Sequence, residues 1–398
     1  MNDQGTPPLK TDKNNPYHWW LLAQQGLYTL LAIGVRFLSR KPPKPLVVLY
    51  GHQLSGNLKA LYKEWQRSHR DDFDCYFLSL DPTYSEQLRQ QGIAVLQCNK
   101  LGDMIVTGRC DVMITDHGLH AMGAFMRLTS MLFIDVWHGI PFKGFIPDDF
   151  RLQHRYDEVW VSSPLLKALY QDKFGFAPER VKSLGYARTD KLFRREAPDQ
   201  NFSRQASIPN GQRIVLYAPT WQQDDSGRDL FPFGETQQAF IGKLSKVCSD
   251  NSATLVIRSH LNASIGTKHN DNVRYCSMKD FPDSEELLQN TDLLICDWSS
   301  IAFDYLALDR PTVFLDVEPP FKNGLSLGRE YRFGKVATDM EVLCDTIDQT
   351  LENPDWYRSA QKDTHRNVVS AVYGSNTDGK SAARQWSRLT ELIGLPRT

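Results

Sequence analysis

Short apolar runs alternate along this chain with longer segments in which apolar residues recur every three or four positions. Leu46-Val47-Val48-Leu49-Tyr50 and residues 75–80, 93–96, 111–115, 131–137 and 158–161 read as strands of a first series. Helical spacing falls between them at 54–65 and 164–174, the latter with Pro164 in its first turn. A polar stretch, 194–212, carries Pro198, Pro209 and Gly211 and marks a linker. A second series follows, with strands at 214–218, 253–257, 292–296 and 312–315. Its helices are expected at 240–247, 301–308, 340–352 and 356–393. Apolar strands that alternate with helices predict parallel sheets covered on both faces. The expected fold class is α/β: two doubly wound Rossmann-like domains facing a cleft. The expected division is 1–44 for a polar tail and helix, 45–195 for the first domain and 196–398 for the second.

Residues 17–35 hold no Asp, Glu, Lys or Arg, and Arg36, Arg40, Lys41 and Lys44 follow them. The stretch is near the length of a minimal membrane span, but Gln24, Gln25, Gly26 and Gly34 weaken a spanning reading. Trp19 and Trp20 at one end and the basic residues at the other suit a headgroup region, so an interfacial anchor helix is the favoured expectation. A span and a helix of the first domain's core are the alternatives. The placement expected from the anchor is cytoplasmic, peripheral to the inner face of the cell membrane.

Composition narrows the classes. A chain of 398 residues is long for one core, which supports two domains. Forty-six basic against 47 acidic residues, with no long basic run, give no case for nucleic-acid binding. The seven cysteines are scattered and lack a Cys-x-x-Cys pair, so reduced core thiols and no zinc site are expected.

The chemistry concentrates where strands end. Trp137-His138-Gly139-Ile140-Pro141-Phe142-Lys143 follows an apolar strand and places an imidazole at a carboxyl edge, where open α/β sheets bind ligands. Lys143 adds a cation, and a group titrating near neutrality beside it suits chemistry on a phosphorylated substrate. Gly51-His52 and Asp116-His117-Gly118 end two earlier strands. In the second series, Tyr217-Ala218-Pro219-Thr220-Trp221, Arg258-Ser259-His260 and Asp297-Trp298-Ser299-Ser300 each leave a strand. Parallel strands bring such endings to one edge. Hydroxyls before a helix and charged side chains there suit an anion. Taken singly, Ser299-Ser300 reads as an N-cap, His260 as a core histidine and Thr220 as a turn residue.

His138-Gly139-Ile140-Pro141-Phe142-Lys143 resembles the His-Gly-Thr-Pro-Leu-Lys element of the CDP-glycerol glycerophosphotransferases, the teichoic-acid primases and polymerases. Gly185-Tyr186-Ala187-Arg188-Thr189-Asp190 is similar to their Gly-Tyr-Pro-Arg-Asn-Asp, and Tyr217-Ala218-Pro219-Thr220-Trp221 matches their Tyr-Ala-Pro-Thr-Trp. Arg258-Ser259-His260, Asp297-Trp298-Ser299-Ser300 and the run from Phe303-Asp304-Tyr305 to Arg310-Pro311 follow in the family's order. Ile140, Ala187 and Leu261 depart from it, and beyond Asp316 the family's later elements are only loosely echoed by Glu318, Arg329 and Glu330. The resemblance implies a glycosyltransferase-B fold and transfer of a polyol phosphate, glycerol phosphate first, from a CDP-activated donor to a lipid-linked or glycan acceptor. CMP is released, and the product is a teichoic-acid-like or capsular polymer. It implies His138 and His260 as catalytic, with Lys143, Arg188, Thr220, Arg258, Asp297, Ser299 and Ser300 on the donor. No cofactor or metal is expected, because no carboxylate cluster compels Mg²⁺, although Asp297 keeps it open. A nucleotide-sugar glycosyltransferase of the same fold and a non-catalytic membrane scaffold are the competing readings.

Overall fold

The computed structural model describes residues 16–38, 42–118, 122–198, 200–220, 231–258, 272–277 and 280–394. Seven strands form the first sheet: β1 (Leu46–Tyr50), β2 (Asp74–Ser79), β3 (Val95–Gln97), β4 (Val112–Thr115), β5 (Leu132–Asp135), β6 (Glu158–Val161) and β7 (Val181–Ser183). All pair in parallel, in the order β3-β2-β1-β4-β5-β6-β7. Six form the second: β8 (Arg213–Ala218), β9 (Ala253–Ile257), β10 (Val273–Tyr275), β11 (Leu293–Cys296), β12 (Thr312–Leu315) and β13 (Lys335–Ala337). These are also parallel, in the order β10-β9-β8-β11-β12-β13. The central strands are buried along their length, as wholly apolar runs require. Two doubly wound domains are thus present. β7, β10 and β13 went unread in the sequence because each is a three-residue edge strand with a charged or hydroxyl residue.

A topological switch falls between β1 and β4 in one sheet and between β8 and β11 in the other. Apolar packing joins the two sheets there. Phe142, from the loop after β5, lies 4.4 Å from the Phe303 ring and 5.6 Å from Trp298. The same loop is fastened to the second domain by Gly144 N–H donating to the Gly324 carbonyl at 2.8 Å and Ser326 Oγ to the Lys143 carbonyl at 2.7 Å. A side chain at Gly144 would run into the Asn323 carbonyl.

The stretch 356–393, expected to be largely helical, forms two helices, Pro354–Tyr373 and Ser381–Gly394, and the second packs on the first sheet. Trp386 is fully buried in the core of β1, β2 and β4 and donates through Nε1 to the Leu61 carbonyl at 3.0 Å. Asp190 caps that helix, accepting from Ser381 N–H and Ala382 N–H at 2.8 Å each. The chain therefore crosses between domains twice.

Residues 17–35 fall within the helix Pro16–Leu38, which lies on the first domain. Thr29, Ala32 and Ile33 are buried, and Arg36 donates to the carbonyls of Gly108 and Cys110 at 2.9 and 2.7 Å. Lys44 donates to the Arg70 carbonyl, so two of the four expected surface cations are engaged with protein; Arg40 and Lys41 lie outside the described residues. Trp20, Leu27, Leu31 and Phe37 are exposed on the helix. Among the described residues no helix is long and apolar enough to cross a membrane. All seven cysteines are free and six are buried.

Candidate active site

Strand order decides which strand endings meet. β1, β4 and β5 are neighbours, so His52, His117 and His138 leave the sheet side by side. The His117 and His138 rings stack at 4.5 Å with planes 7° apart, and His52 meets His117 edge-on at 5.3 Å. Asp116 holds both stacked rings. Its carboxylate lies 2.6 Å from His117 Nδ1, and its carbonyl lies 2.9 Å from His138 Nδ1. A carbonyl only accepts, so His138 carries its proton on Nδ1 and presents a bare Nε2. His138 is exposed. The protein walls around it, the His117 ring and the Arg188 and Lys143 charges hold its pKa well below the ordinary value. A histidine kept neutral with a free Nε2 is equipped to take a proton.

The backbone around His138 is fixed from several sides. Trp137 adopts a left-handed conformation, φ 46°, and donates its N–H to the buried Asp135 carboxylate. Burial raises the Asp135 pKa to about 7, against the opposing pull of that N–H. Asn57 Nδ2 donates to the Val136 and Trp137 carbonyls at 2.9 and 2.8 Å, while its Oδ1 accepts from Arg188 N–H. Gly139 has φ 151°, and a Cβ there would stand 3.3 Å from Ser300 Oγ and 3.1 Å from Arg188 Nη2. Glycine thus lets the His138 turn approach Ser300 across the cleft.

From the second domain, Thr220 after β8 and Ser299-Ser300 after β11 stand at the switch between neighbouring strands. Asp297 is fully buried. Its Oδ1 accepts Thr220 N–H at 2.7 Å, Trp298 N–H at 2.6 Å and the Thr220 hydroxyl. The structure thus commits Asp297 to shaping these two loops. Among the described residues no group of His, Cys, Asp or Glu is arranged to hold a metal ion.

Two arginines expected at the donor make contacts within the protein. Arg258 is buried and donates to the Phe281 carbonyl at 2.7 Å and Ser284 Oγ at 3.1 Å, bracing the helix Ser284–Asn290. Arg188 pairs with Asp304 of the second domain through Nε at 3.0 Å and Nη2, and its Nη1 donates to the His138 carbonyl at 2.7 Å. It is a clamp between domains that also positions His138. The Lys143 ammonium lies over the Phe145 ring at 5.2 Å, and burial lowers its pKa. His260 lies outside the described residues. His117, Asp116, Asp135 and Asn57 had no assigned role in the sequence, although Asp116-His117 was visible as a strand ending.

Beside the clamp runs an interdomain seam of charge. Lys59 pairs with Asp283 at 2.6 Å, and Lys191 lies 3.7 Å from the same carboxylate. Glu285 is buried next to Asp283 and 3.9 Å from Arg188; burial and then Asp283 push its pKa up to about 8.

The chain matches the family model of CDP-Glycerol:Poly(glycerophosphate) glycerophosphotransferase over residues 35–391. It is 23% identical to a teichoic acid glycerol-phosphate transferase of Staphylococcus aureus, covering 91% of this chain and 96% of that one. It is 24% identical to the teichoic acid poly(glycerol phosphate) polymerase of Bacillus subtilis over 79% of this chain but only 44% of that protein. In three dimensions it resembles the wall teichoic acid polymerase TagF, with a TM-score of 0.72 at 19% identity over 94% of this chain and 93% of the other. A UDP-N-acetylglucosamine 2-epimerase shares the fold more distantly, with a TM-score of 0.56 at 15% identity over 90% of this chain and 98% of the other.

Proposed function

The chain belongs to the CDP-glycerol glycerophosphotransferase family, and we propose on that footing that it transfers glycerol phosphate from CDP-glycerol to an acceptor hydroxyl. CMP is released, and the product is a teichoic-acid-type polymer. The observation that carries this reading is His138, held by Asp116 with a bare Nε2 one strand from the switch point, with the next residue, Gly139, close against Ser300 of the second domain. The acceptor hydroxyl gives its proton to His138 Nε2 as its oxygen bonds to the donor's β-phosphorus. The bond from that phosphorus to the bridging oxygen breaks, and CMP leaves with the electron pair. The Ser299 and Ser300 hydroxyls, Lys143 and His260 are assigned to the phosphates, where positive and hydrogen-bonding groups stabilise the departing charge, and Thr220, whose hydroxyl donates to Asp297, shapes the loop beside them. Arg188, Arg258 and Asp297 act one step back, by holding the loops that carry these groups.

The acceptor is assigned as lipid-linked, and the helix Pro16–Leu38 supplies the reason. Its exposed face carries Trp20, Leu27, Leu31 and Phe37 while its other face is docked on the first domain. An apolar face left open beside a docked one suits a bilayer interface. The purified protein, offered CDP-glycerol, CDP-ribitol and UDP-sugars in parallel, should release CMP from CDP-glycerol. Nucleotide release from a UDP-sugar alone would favour the nucleotide-sugar reading.

A further inference from the structure

The Asp116–His117 pair is a second ionisable element in the cleft, and the transfer step as written makes no use of it. Its geometry is specific. Both stacked rings turn their Nδ1 edges to Asp116, so both Nε2 edges face the other way, side by side. His138 offers a lone pair there. His117, whose Nδ1 lies on a carboxylate, offers an N–H when protonated. The His117 side chain is 39% exposed. The ring spacing of 4.5 Å is compatible with an attacking oxygen about 3 Å from phosphorus under one nitrogen and a non-bridging phosphoryl oxygen under the other.

We propose that His117 is a phosphoryl-binding residue: its Nε2–H donates to a non-bridging oxygen of the transferred phosphoryl group while His138 takes the acceptor proton. This rests on the proposed transfer reaction and assigns one more of its contacts. Asp116 then has two jobs. Its carbonyl fixes the tautomer of the base, and its carboxylate keeps the neighbouring ring charged. Among the described residues, the charged and titratable groups facing His117 are Asp116, Asp135, His52, His138 and Arg188. Burial pulls the His117 pKa down, but the Asp116 and Asp135 carboxylates outweigh it and leave it above the ordinary value. His138 is held in the opposite direction. Two like rings pushed apart in this way are assigned opposite roles, base and cation.

The test is the pH dependence of CMP release. The wild type should show a basic limb, above the ordinary histidine pKa of about 6.5, where His117 loses its proton. His117→Gln should lose about a hundredfold in kcat, the scale of one missing donor to a developing charge, and its basic limb should disappear. Asp116→Asn keeps the carbonyl that orients His138 but removes the charge on His117, so its basic limb should move to lower pH. A basic limb unchanged in both variants overturns the proposal. A readout independent of turnover is the imidazole NMR titration of the wild-type protein with inorganic pyrophosphate, the His117 signal being assigned by its absence in His117→Gln. Pyrophosphate should raise the His117 pKa. An unmoved His117 overturns the phosphoryl contact even if CDP-glycerol is consumed, and a shift without turnover would fault the transfer reaction alone.

Discussion

Replacing Asp304 by alanine tests whether the fold and the site share one joint. Asp304 is 2% exposed and carries the main ion pair of Arg188, whose side chain is 11% exposed and whose Nη1 holds the His138 carbonyl. Removing one partner of a buried pair costs about 3–5 kcal/mol because the other charge is left without compensation. Here Glu285 stands 3.9 Å from Arg188; burial and Asp283 chiefly raise its pKa and Asp304 adds least, so it remains beside Arg188 as a second carboxyl group that offsets only part of the loss. The expected cost is about 2–3 kcal/mol, read from urea unfolding followed by tryptophan fluorescence. Turnover should fall at least about tenfold, because Arg188 no longer fixes the loop that carries the base. The double variant Arg188→Met/Asp304→Leu removes both charges and should recover most of the stability. It should not recover turnover, since the His138 carbonyl still lacks its donor. A loss below about 1 kcal/mol in Asp304→Ala, or a double variant that regains both stability and activity, would refute the clamp.

His138→Ala and His260→Ala should each lower CMP release by at least about a hundredfold with circular dichroism unchanged; near-normal release by either removes that residue from the site. Asp135 has a folded pKa raised to about 7, so the stability linked to its proton is full below its unfolded value and is lost as pH rises through 7. Asp135→Asn should therefore gain on the wild type between pH 5 and pH 8, by about 2–3 kcal/mol, and parallel stabilities at the two pH values would contradict the burial argument. Leu27→Asp/Leu31→Asp/Phe37→Asp should abolish sedimentation with liposomes rich in anionic lipid, since each apolar side chain contributes about 1.5–3 kcal/mol when buried. Binding that persists in this variant, or is absent in the wild type, sinks the membrane-facing reading.

Much of the architecture was legible because the mostly apolar strands of a parallel sheet leave a strong pattern. The strands at 46–50, 158–161, 253–257 and 312–315 were read to the residue. What went unread depends on partners far away in the chain. Asp116-His117 could be seen to end a strand, but its stacking on His138 follows from β4 lying beside β5. Arg188 looked like a phosphate ligand by its motif, and its commitment to Asp304 is a contact 116 residues distant. The helical character of 356–393 was clear, yet nothing in its spacing says which sheet Trp386 enters; Asp190, 191 residues from Ser381, decides it. Asp297 shows a different limit. A carboxylate beside Ser299 and Ser300 suggests a ligand, and the three donors that meet on one of its oxygens could not be read from its neighbours in the chain.

The central claim is transfer of glycerol phosphate with His138 as the base. Its most direct measurement is a single-turnover reaction with glycerol-labelled CDP-glycerol and a lipid-linked acceptor presented in vesicles. The account predicts one CMP for each labelled glycerol phosphate joined to the acceptor, at a rate that rises with pH through the His138 titration and is lost in His138→Ala. Label that stays in CDP-glycerol, CMP released without label on the acceptor, or a His138→Ala protein that transfers like the wild type would contradict it.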